Sequence, residues 1–145
     1  MRSRELLCAA DVTDDRLLTI VADLLGEETY GLSDVRVEAV DYDLQSITTA
    51  GRWWVSGLAR TAIGDLPFRI FVKYVQNWSR SPQFARVPPE IREMAAASVP
   101  WRTEAGVYRS DLAHRLPDGL SMPRALAVID VDALSSTIWL EEVPL

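Results

Sequence analysis

Three stretches rich in β-branched and aromatic residues follow one another between residues 35 and 75, and the links between them are short. They are Val35–Leu44, Trp53–Ala62 and Phe68–Val75. Strands joined this tightly pair antiparallel, because a parallel return needs a crossover of about a dozen residues or more. The first link, Gln45–Arg52, is polar and built of small residues, and the second, Ile63-Gly64-Asp65-Leu66-Pro67, carries the residues of a hairpin connection. Phe68–Val75 is the strongest strand signal in the chain.

Helical periodicity surrounds these strands. Residues 13–25 read as a helix, with Thr13 as its cap, acids in the first turn and Gly26 as its stop. Leu17, Val21, Leu24 and Leu25 fall on one face of it. After the third strand, Gln76–Pro89 is polar and proline-bearing and reads as a long loop, followed by a short helix over Pro89–Ala97. Ser98–Leu116 reads as a longer helix that begins at Ser98 or Pro100. Trp101, Ala105, Tyr108 and Leu112 form its apolar stripe, and Leu116-Pro117-Asp118-Gly119 ends it. Pro123–Ile129 and Thr137–Val143 are two further strands joined by an Asp/Ser-rich turn. The 145 residues suit one domain of the α+β class. It comprises a helical segment over residues 1–34 and, over 35–145, a five-stranded, largely antiparallel sheet with a packed helix.

Charge and cysteine content exclude several functions. Fifteen basic against 21 acidic residues give a net charge of −6, which argues against nucleic-acid binding through a broad basic surface. The single cysteine, Cys8, excludes an internal disulfide and a multi-cysteine zinc site. No apolar run approaches the ~20 residues of a membrane span. The apolar patch Leu6–Ala10 is too short for a secretory leader, so a cytoplasmic setting without membrane partners is expected.

Among the 15 basic residues, 14 are arginine and one is lysine. That lysine, Lys73, sits inside the strongest strand. Alternation along the strand places it on one face with Phe71 and Val75, and places Ile70, Val72 and Tyr74 on the other. An ammonium among apolar neighbours needs a carboxylate, a phosphate or water, because desolvation disfavours its charged form. Glu104 is the best carboxylate for it, lying three residues after Trp101 and four before Tyr108 at the edge of the helix's apolar stripe. A strand lysine paired with a helix glutamate is the arrangement by which kinases hold the α- and β-phosphates of ATP.

Several segments then resemble the N-terminal lobe of aminoglycoside-phosphotransferase and choline-kinase-like small-molecule kinases, which share the protein-kinase-like fold. Phe71-Val72-Lys73 is similar to the third-strand lysine motif. Pro100-Trp101-Arg102-Thr103-Glu104-Ala105-Gly106-Val107-Tyr108-Arg109 is similar to the glutamate-bearing helix. Leu116–Leu120 with Met122-Pro123-Arg124 is similar to the link into the fourth strand, and Trp139-Leu140-Glu141-Glu142-Val143 to the fifth strand and hinge.

The resemblance implies ATP as cofactor, with Lys73 on its phosphates and Glu104 orienting Lys73. It also implies that Thr48, Thr49, Ala50, Gly51 and Arg52 form a loop over the phosphates through backbone N–H groups, and that the Glu141 carbonyl and Val143 amide meet adenine. The acceptor of the γ-phosphate, an aminoglycoside or similar hydroxylated small molecule, belongs to a second lobe. The catalytic aspartate and asparagine and the metal-binding aspartate belong there too, so Mg2+ is expected only in a complete two-lobed enzyme. On this reading the chain is that enzyme's ATP-binding half and is catalytically inactive by itself. The loop lacks Gly-x-Gly-x-x-Gly, and His114, the only histidine, opens no His-x-Asp motif.

A non-catalytic alternative is a stand-alone lobe that binds a partner or a second copy through its exposed cleft. Plainer readings compete at each residue. Lys73 snorkels to water, Glu104 pairs with Arg102 or Arg109, and Thr48–Arg52 is an ordinary hairpin loop. The five tryptophans read as packing residues. The adjacent acids Asp14-Asp15 and Glu141-Glu142 diverge and form neither a metal site nor a catalytic dyad.

Overall fold

The computed structural model describes residues 2–41 and 46–143. Its centre is one five-stranded antiparallel sheet in the order β1-β2-β3-β5-β4. The strands are β1 (Thr29–Ala39), β2 (Thr49–Thr61), β3 (Gly64–Gln76), β4 (Ala125–Asp132) and β5 (Ser135–Glu141). Among the described residues three α-helices accompany them: α1 (Asp14–Leu25), α2 (Arg92–Ser98) and α3 (Thr103–Arg109). Short 3-10 turns occupy Arg2–Ala10 and parts of the 78–91 connection. No helix among the described residues is long and apolar enough to cross a membrane.

The β2–β3 hairpin is tighter than the sequence suggests. Thr61 pairs with Gly64 across a two-residue turn, and Gly64 takes φ 118°, which a side chain would oppose. Asp65, Leu66 and Pro67 belong to β3 instead of the turn. Pro67 is tolerated because β3 meets β5 only from Ile70 onward, so this stretch has a neighbour on one side alone. At the other end of β2, Thr49–Arg52, expected in a turn, already lie in the strand. Residues 42–45, which the expected first strand and turn include, lie outside the described residues.

The sheet buries most of one face. Leu7, Ala10, Leu17, Ile20 and Val21 pack against Val35, Val55, Ile70, Val72 and Trp139 in one cluster. The Thr13 hydroxyl accepts from the Arg16 amide at 3.2 Å, and Gly26 closes α1 at φ 65°, as its sequence dictates. Arg4 ties the preceding turn to the helix start through Asp11, Asp14 and the Val12 carbonyl. The boundary drawn between residues 34 and 35 therefore falls inside β1, and the N-terminal helices share a core with the sheet.

The other face carries α3, which is much shorter than the 98–116 helix read from the apolar stripe. Pro100 holds Val99 extended (φ −103°, ψ 114°) and separates α2 from α3. Ser110 ends α3 by turning extended while its amide donates to Gly106 and Val107 carbonyls. Ala105 is the buried anchor of α3, set against Val75, Ile138 and Leu140, with Trp101 and Tyr108 beside it.

Candidate functional site

Register fixes what surrounds Lys73. On β2, Arg52 lies directly opposite Lys73 and Trp54 opposite Phe71. On β5, Ile138 lies opposite Lys73 and Leu140 opposite Phe71. Directly paired residues share a face, so these side chains rise on the α3 side while Ile70 and Val72 fill the core below.

The helix then delivers its carboxylate. Glu104 sits in the first turn of α3, one residue before the anchor Ala105, and its Oε2 accepts from Lys73 Nζ at 2.5 Å. The two side chains are 19% and 37% exposed, so the pair is sheltered yet reachable. The plainer partners of Glu104 are engaged elsewhere. Arg102 donates to the Ala133 carbonyl at 2.6 Å, and Arg109 pairs with Asp130 at 3.1 Å.

A cleft of about 770 Å3 opens over this pair. At its far end lie Leu140, Glu141, Glu142 and Val143, so the expected hinge residues share one cavity with Lys73 and Glu104. Trp54 and Phe71 meet edge to face at 5.3 Å, and the Arg69 guanidinium lies 3.9 Å from the centre of the Trp54 ring. Arg69 also pairs with Glu142 at 2.8 Å, while the Glu141 carboxylate accepts from the Arg124 amide at 2.8 Å. The two adjacent acids thus turn to different arginines. Tyr108 completes the wall. Its burial, and secondarily the Glu104 charge, push the phenol above its ordinary range, so it is a neutral O–H donor at physiological pH.

The expected phosphate-loop residues are arranged differently. Thr48 lies in the turn, with its carbonyl accepting from the Gln76 amide at 2.9 Å. Thr49, Ala50 and Gly51 line a separate polar cavity of about 810 Å3, beside Gln76, Arg80 and Gln83. Arg52 alone of this group lines both cavities. Gly51 has a packing reason to lack a side chain: a Cβ there would lie 2.3 Å from the tip of the Trp53 ring, which folds back over the strand.

Sequence reasoning did not single out Arg69 or assign Phe71 or Tyr108 a place in the cleft, and it favoured packing over pocket-covering for Trp54. Placing the β2–β3 turn at Ala62-Ile63 gives the register that brings Trp54 beside Phe71. Among the described residues, no group of three or more His, Cys, Asp or Glu side chains is placed to hold a metal ion. No family model, no curated protein and no solved structure matches this chain.

Proposed function

We propose that this chain is the ATP-binding lobe of a phosphotransferase, and that the nucleotide occupies the cleft between β3, α3 and the end of β5. The observation that carries the reading is the Lys73–Glu104 pair at 2.5 Å, set in a cavity with aromatic walls. A lysine fixed by a carboxylate presents its remaining N–H donors in a defined direction, as a phosphate ligand requires. The Trp54 and Phe71 rings and Leu140 give the same cavity an apolar end suited to a nucleobase. In the small-molecule kinases that the sequence resembles, a second lobe supplies the acceptor site and the proton-accepting group. There the γ-phosphate passes to a hydroxyl of a compound such as an aminoglycoside. The residues here bind and orient the nucleotide, and no Mg2+ ligand set is assigned to them.

Lys73 offers a direct test, since it is the only lysine. A lysine-reactive acyl-phosphate analogue of ATP, followed by peptide mass spectrometry, is expected to label Lys73, with labelling suppressed by excess ATP. An unlabelled Lys73, or labelling indifferent to ATP, overturns the reading.

A further inference from the structure

We propose that Arg69 is a positioning residue for the nucleobase, holding the Trp54 ring in place as a wall of the cleft, and that the wall so held favours a two-ring base over a one-ring base. This rests on the nucleotide reading of the cleft and adds the kind of base it takes. Register puts Ser56 directly opposite Arg69 on the α3 face, with Trp54 as the diagonal neighbour. Diagonal neighbours on one face are within reach of each other when one is long and the other aromatic. Ser56 is small, and the Arg69 guanidinium leans back to lie 3.9 Å from the centre of the Trp54 ring. Phe71 meets the same indole edge to face, at 5.3 Å and an interplanar angle of 64°. Trp54 is only half-buried, so these two contacts, more than enclosure by the core, fix its orientation.

Glu142, the first residue after β5, keeps the guanidinium there. Its carboxylate accepts from Arg69 at 2.8 Å, so Arg69 is held from the β5 side while it lies over a β2 side chain. The ion pair also bounds the site. Arg69 and Glu142 line both the cleft and a second cavity of about 580 Å3, which Asp34, Arg36 and Leu58 help to form. The pair stands between the two cavities, and the base end of the cleft stops at it. A half-exposed ion pair of this kind contributes little to stability by itself. Its effect falls on the ligand instead, because a base that meets an already ordered indole need not order it on binding, which removes an entropic penalty. Contact with an indole, a phenyl ring and Leu140 grows with the size of the base, so ATP gains more from that order than CTP does.

The test is calorimetric titration of the full chain with ATP, CTP and inorganic tripolyphosphate, for the unaltered protein, Arg69→Met, Glu142→Gln and the double variant. Circular dichroism melting confirms that each variant is folded. The unaltered protein is expected to bind ATP more tightly than CTP. Arg69→Met keeps an apolar side chain and removes both contacts of the guanidinium. It is expected to weaken ATP roughly fivefold, the scale of ordering one large side chain on binding, to bring ATP and CTP closer together, and to leave tripolyphosphate nearly unchanged. Glu142→Gln, which leaves the guanidinium untethered, is expected to show the same pattern at smaller size. A lost positive charge alone would act at least as strongly on tripolyphosphate, so an equal loss for ATP and tripolyphosphate refutes the positioning role. Recovery of ATP affinity in the double variant also refutes it, because the loss then comes from the bare Glu142 carboxylate. Unchanged ATP affinity in Arg69→Met, or equal ATP and CTP affinities in the unaltered protein, refutes the proposal and leaves the nucleotide reading standing. If the unaltered protein binds tripolyphosphate but neither nucleotide, or none of the three, the nucleotide reading itself falls and the proposal falls with it.

Discussion

Gly51 shows how one residue supports two physical accounts with opposite consequences. As part of a phosphate loop, glycine lets backbone approach an anion; in the folded chain, the Trp53 ring occupies the space a Cβ would take, with ring atoms at 2.3 and 2.5 Å. The second account makes Gly51→Ala an overpacking substitution. The Trp53 ring must swing off a strand where it packs against the core, at a cost of about 1–3 kcal/mol. Urea unfolding is expected to show a lower midpoint with an unchanged slope, and ATP-suppressible labelling of Lys73 is expected to persist. Intact stability with lost nucleotide protection would favour the phosphate-loop account instead. Lys73 and Glu104 were legible in the sequence because desolvation restricts where a charged group can sit and what it must meet. Arg52 as a neighbour of Lys73 was not, because that neighbour depends on register. Centring the β2–β3 turn on Asp65 slides every partner of Lys73 along β2.

The β4–β5 hairpin is an element that side-chain charge holds in place. Its acids face arginines from other parts of the chain. Arg80 binds Asp132 at 2.6 Å, Arg109 binds Asp130 at 3.1 Å, and the Asp130 carboxylate also accepts from Ser136 at 2.8 Å. The hydrogen bond from Arg80, followed by that from the Leu134 amide, holds the Asp132 pKa down to about 2. Unfolded, the same carboxyl titrates near ~3.9. A depressed carboxylate stabilises the fold fully above its unfolded pKa and loses that contribution as pH falls through its folded one. The melting temperature is therefore expected to fall between about pH 4 and pH 2. Asp132→Asn should be less stable at pH 7, lose less across that window, and converge with the unaltered protein at its acid end. Parallel curves at all pH values would show that Asp132 contributes no pH-linked stability. Both strands of this hairpin were readable from their β-branched runs. The length of α3 was not, because an apolar stripe records which residues face the core and says little about where backbone hydrogen bonds stop. Pro100 and Ser110 set those limits locally.

At the scale of the whole molecule the two faces of the sheet differ in how firmly they are closed. The N-terminal turns and α1 seal one face with side chains that are almost fully buried, Ile20 at 2% and Val21 at 0% exposure. The other face is covered by a seven-residue helix with one buried residue, Ala105, and the cleft opens beside it. A helix that short has little stability of its own and depends on its few tertiary contacts. Hence α3 should open locally at a free energy well below that of global unfolding, whereas β3 and β5 exchange only when the molecule unfolds. Ile20→Ala separates the two modes. It removes sealed core and is expected to cost about 2–5 kcal/mol of global stability, lowering amide protection in β3 and β5 by the matching amount. Protection of α3, set by its own sub-global opening, should be unchanged as long as that opening remains the cheaper route. ATP should have the converse effect, slowing exchange in α3 because a ligand held by Lys73 also holds Glu104. Native-state hydrogen exchange with and without ATP reads all three segments at once. If α3 loses protection in step with β3 and β5 in Ile20→Ala, and ATP slows all of them equally, the molecule is a single cooperative unit and the cleft has no independently mobile wall.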